Sequence, residues 1–95
     1  FCEPRTELEK YVAGMWAAAL GVERAGIDDN FFELGGDSLR GMTLLNRLQL
    51  ELREVVQPTA LFECQTIRDL VSYLKRQYPD TVAQKYPDEP LVEVV

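Results

Sequence analysis

An all-α fold, a small helical bundle, is what the sequence predicts, and three observations predict it. Apolar residues recur at helical spacing in three separate segments. Two of those segments open on a threonine with an acid three residues later, Thr6 with Glu9 and Thr66 with Asp69, the pattern of a capped helix start. Gly21, Pro58 and Pro79 stand where the periodic runs stop. The chain has 95 residues, enough for one small domain with a tail. It opens on Phe1 rather than Met, as a piece of a longer polypeptide or a processed chain would.

The first helix is expected from about Thr6 to Leu20, with Leu8, Val12, Met15, Trp16 and Ala19 on one face. Residues 21–37 read as a long loop that is far from polar. Val22, Ile27, Phe31, Phe32 and Leu34 are spread through it, so it is expected to be pinned against the helices and ordered, with Phe31, Phe32 and Leu34 as its anchors. A second helix follows from Asp37 or Ser38 to about Leu52. At about 100° per residue, Gly41, Leu44, Leu45, Leu48 and Leu52 form its core stripe. Leu39 and Met42 point about 160° and 100° away from Gly41 on the same wheel.

Thr59–Glu63, after Gln57-Pro58, predicts one short turn of helix. The last helix begins near Thr66 and carries Ile67, Leu70, Val71, Leu74 and Tyr78 on one face, with Pro79 stopping it. The expected architecture is thus three longer helices, one short helix and a structured first loop. Residues 79–95 carry Pro79, Pro87 and Pro90 and four acids against Lys85, which reads as a linker. Its apolar end, LVEVV, suits docking or the start of another domain.

Composition narrows the function. The net charge of −6 argues against nucleic acid and anionic membrane surfaces as partners and leaves open a partner with a basic face. No apolar run approaches membrane-spanning length and no signal peptide is visible. Cys2 and Cys64 lie far apart and outside any metal-like spacing, so both are expected to be free thiols in a reducing compartment, the cytoplasm. With no histidine, neither a Ser-His-Asp nor a Cys-His arrangement is available. Arg40 stands where a G-x-S-x-G nucleophile elbow needs glycine, and no Gly-Lys-Ser/Thr follows Gly35-Gly36 as a P-loop requires. No catalytic residues and no metal site are expected.

Ser38 is what remains. By itself it reads equally as a residue near a helix N-cap. Yet a helix N-terminus offers unpaired N–H groups and partial positive charge, which favour an attached phosphodiester by about 0.3–1 kcal/mol. Gly35 and Gly36 let the backbone turn tightly and leave the hydroxyl uncovered.

The segment DDNFFELGGDSL, residues 28 to 39, resembles the signature of carrier (thiolation, or peptidyl carrier) domains of nonribosomal peptide synthetases and related assembly lines. EPRTELE is similar to the linker that follows adenylation domains, and TALFECQTIRDLVSYL to the family's short third helix and final helix, so Pro4 to Tyr78 is covered. The resemblance implies a four-helix carrier bundle over 6–78, an upstream interdomain linker over 1–5, and a downstream linker or next domain over 79–95. It implies that Ser38 receives 4′-phosphopantetheine from coenzyme A through a phosphopantetheinyl transferase. Aminoacyl, peptidyl or acyl groups would ride as thioesters on that arm, not on Cys2 or Cys64, between adenylation, condensation, thioesterase or other synthetase domains. The carrier itself would be non-catalytic and a monomer in isolation.

Asp37 then has two readings, an N-cap or first-turn acid matched to the helix dipole and a residue that helps the transferase engage. Leu39 and Met42 also have two: contacts with the loop or the short third helix, or a docking patch for partner domains. Asp37 replaces the histidine often found before the serine, a variation seen in several carrier subclasses. Gly41 stands where alanine is common, which weakens the helix by up to about 1 kcal/mol unless close packing compensates. Two other settings share the chemistry: the acyl carrier of a polyketide or hybrid line, and the carrier of a carboxylic acid reductase. A different class is a helical interaction module that is never modified.

Overall fold

The computed structural model describes residues 3–87 and 89, and its elements are all helices: α1 (Glu7–Leu20), α2 (Ser38–Leu52), α3 (Thr59–Glu63), α4 (Ile67–Gln77) and α5 (Pro79–Lys85). The four expected helices are α1 to α4, and α5 is an addition.

Local chemistry explains the boundaries. Thr6 caps α1 by accepting from the Glu9 N–H at 3.1 Å. The reciprocal arm goes one residue further back than a capping box places it, since Glu9 accepts from the Arg5 N–H at 2.9 Å. Gly21 ends α1 at φ 71°, where both its own N–H and that of Val22 donate to Ala17 C=O. Thr66 caps α4 through the Asp69 N–H at 3.2 Å. Pro79 ends the run of α4 and then occupies the first position of α5, where a missing N–H costs nothing.

α1 packs against both α2 and α4, and the core lies between them. Leu8, Val12, Met15 and Trp16 of α1 meet Leu44, Leu45, Leu48 and Leu52 of α2 and Ile67, Leu70, Val71 and Leu74 of α4, all buried. The buried face of α1 is wider than its expected stripe: Ala13, Ala17 and Leu20 are inside, while Ala19 is only half-buried. Tyr78 also departs from its expected place. It is half-buried at the end of α4, and its hydroxyl donates to Val55 C=O at 2.6 Å.

The stretch read as a linker after α4 is helical as far as Lys85 and packs on α2 and α4. Val82 is fully buried and Tyr86 nearly so. Two apolar residues four apart within a proline-bounded acidic segment are too weak a periodic signal to mark a helix. The LVEVV end lies outside the described residues, as does Cys2. No helix among the described residues is long and apolar enough to cross a membrane.

Candidate functional site

The first loop is built to hold one end of α2 still. Phe31 is fully buried and meets Trp16 edge-on with centroids 5.1 Å apart. Its N–H donates to Gln65 C=O at 2.8 Å, and Arg68 N–H donates to Ile27 C=O at 2.9 Å, so the loop is tied to the start of α4 at two backbone points. Asn30 turns the chain: its Oδ1 accepts from the N–H groups of Phe32 and Glu33, while its Nδ2 donates to Gln65 Oε1. Asp28 and Arg68 add a bidentate ion pair at 2.6 and 3.0 Å. Ile27 and Phe31 pin the loop as expected, with Phe32 and Leu34 half-buried beside them. Val22, 37% exposed, does not.

The two glycines ahead of Ser38 do separate jobs. Gly35 adopts φ 101°, a conformation that disfavours any side chain. Gly36 passes so close to Phe31 that a Cβ would overlap both its ring and its carbonyl oxygen. Arg40 Nη1 donates to Gly35 C=O at 3.2 Å and fastens the turn to the helix it precedes.

Asp37, not Ser38, is the N-cap of α2. Its Oδ1 accepts from Arg40 N–H at 2.9 Å, and its carbonyl takes Gly41 N–H. Ser38 is the first helical residue, it is exposed, and its hydroxyl makes no hydrogen bond among the described residues. The capping reading of the serine therefore has no work left to explain, because its neighbour performs it. The Ser38 and Leu39 N–H groups, which belong to the first turn, have no helical acceptor.

Leu39 and Met42 lie one turn apart on the outer side of α2, at 77% and 42% exposure. That exposure removes contact with the loop or α3 as the reason for Leu39. Gly41, on the inner side, is the close approach that its helix-weakening glycine called for: a Cβ there would meet Leu61 Cδ2 of α3. The packing brings up a residue missed in the sequence. Phe62, next to Leu61, is 53% exposed and stacks on Phe32 with centroids 5.6 Å apart and planes 13° from parallel. In a helix of five residues no periodicity separates an inward from an outward phenylalanine.

Cys64 is a free, buried thiol, and burial pushes it above its ordinary pKa, which keeps it protonated and poorly nucleophilic.

The family model for the phosphopantetheine attachment site matches residues 10–74, the span that contains this loop, α2, α3 and most of α4. The chain belongs to the phosphopantetheine-attachment family. It is similar to surfactin synthase subunit 2 of Bacillus subtilis, 49% identical over 72 residues, which is 76% of this chain and 2% of that protein. Among solved structures it resembles the peptidyl carrier protein in complex with the phosphopantetheine transferase Sfp and coenzyme A, at 31% identity and a TM-score of 0.76. That match covers 81% of this chain and all of the other. It also resembles McyG A-PCP complexed with phenylalanyl-adenylate, at 31% identity and a TM-score of 0.72, over 75% of this chain and 11% of the other. The chain thus spans a small fraction of the curated relatives it matches.

The carrier domain's cofactor is covalent 4′-phosphopantetheine. The residues at the start of α2 fit that group: an uncovered hydroxyl, two first-turn N–H groups without helical acceptors, and the positive end of a 15-residue helix suit a phosphodiester.

Proposed function

We propose that this carrier domain holds its phosphopantetheine on Ser38 and serves a nonribosomal peptide synthetase, shuttling aminoacyl or peptidyl groups without catalysing any step itself. The observation that carries the site is the division of labour at the helix start: Asp37 caps, and Ser38 is exposed and unengaged. The arm supplies a thiol on which acyl groups travel as thioesters. Its flexible tether makes each delivery intramolecular and raises effective concentration without tight docking. The partners are a phosphopantetheinyl transferase and neighbouring adenylation, condensation or thioesterase domains. Support comes from the relatives: a peptidyl carrier protein sits with Sfp in one, and A-PCP is the subject of another.

Leu39, Met42 and Phe62 form the apolar part of the surface these partners meet, with Asp37 beside the serine for the transferase. What supports this is the exposure of Leu39 and Met42 within one turn of the serine on α2. The carrier unit runs over 6–78, with 1–5 leading in and α5 starting the segment that leads out. A coenzyme A donor and a protonated, free Cys64 match a cytoplasmic setting.

Intact-protein mass after incubation with coenzyme A, magnesium and a promiscuous transferase tests the reading. One phosphopantetheinyl group should be gained, and none by Ser38→Ala with unchanged helicity. No gain by folded, initially unmodified wild-type protein with several transferases would favour an unmodified interaction module instead.

A further inference from the structure

The segment after α4 is held to the bundle by contacts of two opposed kinds. α5 is seven residues long, far below the length at which a helix persists alone, and no side chain caps its start. Its apolar hold consists of Val82, fully buried, and Tyr86, whose ring lies 6.4 Å from that of Tyr11. Polar contacts to the end of α2 and the turn after it accompany them: Tyr86 donates to Glu51 at 3.1 Å and Thr81 to Glu54 at 3.4 Å.

Glu89 works in the other direction. Its N–H donates to Tyr86 C=O, and its side chain is 1% exposed, yet neither carboxylate oxygen accepts a hydrogen bond among the described residues. Lys75 Nζ of α4, itself largely buried, stands 3.7 Å away. A carboxylate withdrawn from water without hydrogen bonds is strongly disfavoured, and one cation at ion-pair distance offsets that only in part. The apolar side chains pull the segment in while the buried charge resists, and Lys75 sets the balance.

We infer that residues 79–87 and 89 belong to a releasable strap whose closure is set by Lys75 against the buried charge of Glu89, closed against the bundle in this structure and able to open without unfolding α1 to α4. Its seat includes Glu51 near the end of α2, about 20 Å along the helix from Ser38. Opening therefore leaves the Ser38 end in place. It also frees chain that extends by about 3.3 Å per residue, lengthening the reach of the bundle from whatever follows by up to about 35 Å. The inference does not depend on the chemistry at Ser38.

Amide hydrogen exchange of the whole chain, read residue by residue, tests it without cofactor. The Val82, Tyr86 and Glu89 amides, which donate to Tyr78, Val82 and Tyr86, should exchange at least about 100-fold faster than that of Leu70, the signature of local opening. Lys75→Met should speed the strap amides about tenfold further, since it strands the Glu89 charge. Adding Glu89→Leu to Lys75→Met should restore the wild-type rate or slow it. Glu89→Leu alone should slow the strap too, because Lys75 can extend its head to water. Leu70 reports whether any variant has lost the bundle itself. Strap amides that exchange in step with Leu70, or that ignore Lys75→Met, would overturn the strap. So would a failure of Glu89→Leu to slow them in either background.

Discussion

The loop over 21–37 and the strap that follows α4 both lie outside the main helical stripes, the loop with Val22, Ile27, Phe31, Phe32 and Leu34 and the strap with only Val82 and Tyr86 as large apolar residues. They are held in opposite ways. The loop sinks Ile27 and Phe31 into the core and satisfies its backbone through Asn30, Gln65 and Arg68. The strap buries two side chains and then a carboxylate that accepts no hydrogen bond among the described residues. Thus the loop is part of the cooperative core and presents Ser38 at a fixed place. The strap adds to the bundle without being required by it.

The sharpest way to break this contrast is Phe31→Ala. Truncating a fully buried aromatic that contacts Trp16 and Phe32 should cost about 3–5 kcal/mol, seen as a lower midpoint in denaturant for the whole domain. A loss confined to the loop, with α1 and α4 unaffected, would mean that the loop is no more integral than the strap. Gly36→Ala should follow at about 1–3 kcal/mol, because the Phe31 carbonyl oxygen in the way is backbone and cannot rotate aside.

Smaller effects belong to the strap. Tyr86→Phe removes the hydrogen bond to Glu51 and should weaken strap docking by about 1 kcal/mol. Burial, then the charge and hydrogen bond of Glu51, hold the Tyr86 phenol well above its ordinary pKa. A raised pKa favours the protonated form in the folded state. The stability it contributes is complete below about pH 10, where the free phenol titrates, and is lost as pH rises from there. Strap amide protection should accordingly fall on the alkaline side, and less so in Tyr86→Phe. Tyr11 and Tyr78, both also raised by burial, keep part of the effect. Leu39→Ser should change stability by less than about 0.5 kcal/mol in the same denaturant assay, since Leu39 is 77% exposed. Transfer from a loaded adenylation partner, by contrast, should fall.

Much of the fold is legible in the sequence alone. The stripe of α2 and that of α4 as far as Leu74 are buried as periodicity implies, and Thr6, Gly21 and Thr66 close their helices by local hydrogen bonds a sequence can announce. Ser38 stands out in the sequence because a long motif surrounds it. What stayed hidden depends on distant partners or short elements. Gln65 clamps Asn30 across 35 residues, and nothing near either residue marks the pairing. Phe62 points outward from a helix too short for a period. α5 escaped because Val82 and Tyr86 are so few among prolines and acids.

One measurement tests the central claim most directly: a peptide map of the protein after modification from coenzyme A. Ser72, half-buried in α4, is the only other serine in the chain. The phosphopantetheinyl mass should fall entirely on the peptide containing Gly36-Asp37-Ser38-Leu39 and none on the peptide containing Ser72. Modification at Ser72, or at any residue other than Ser38, would contradict the account.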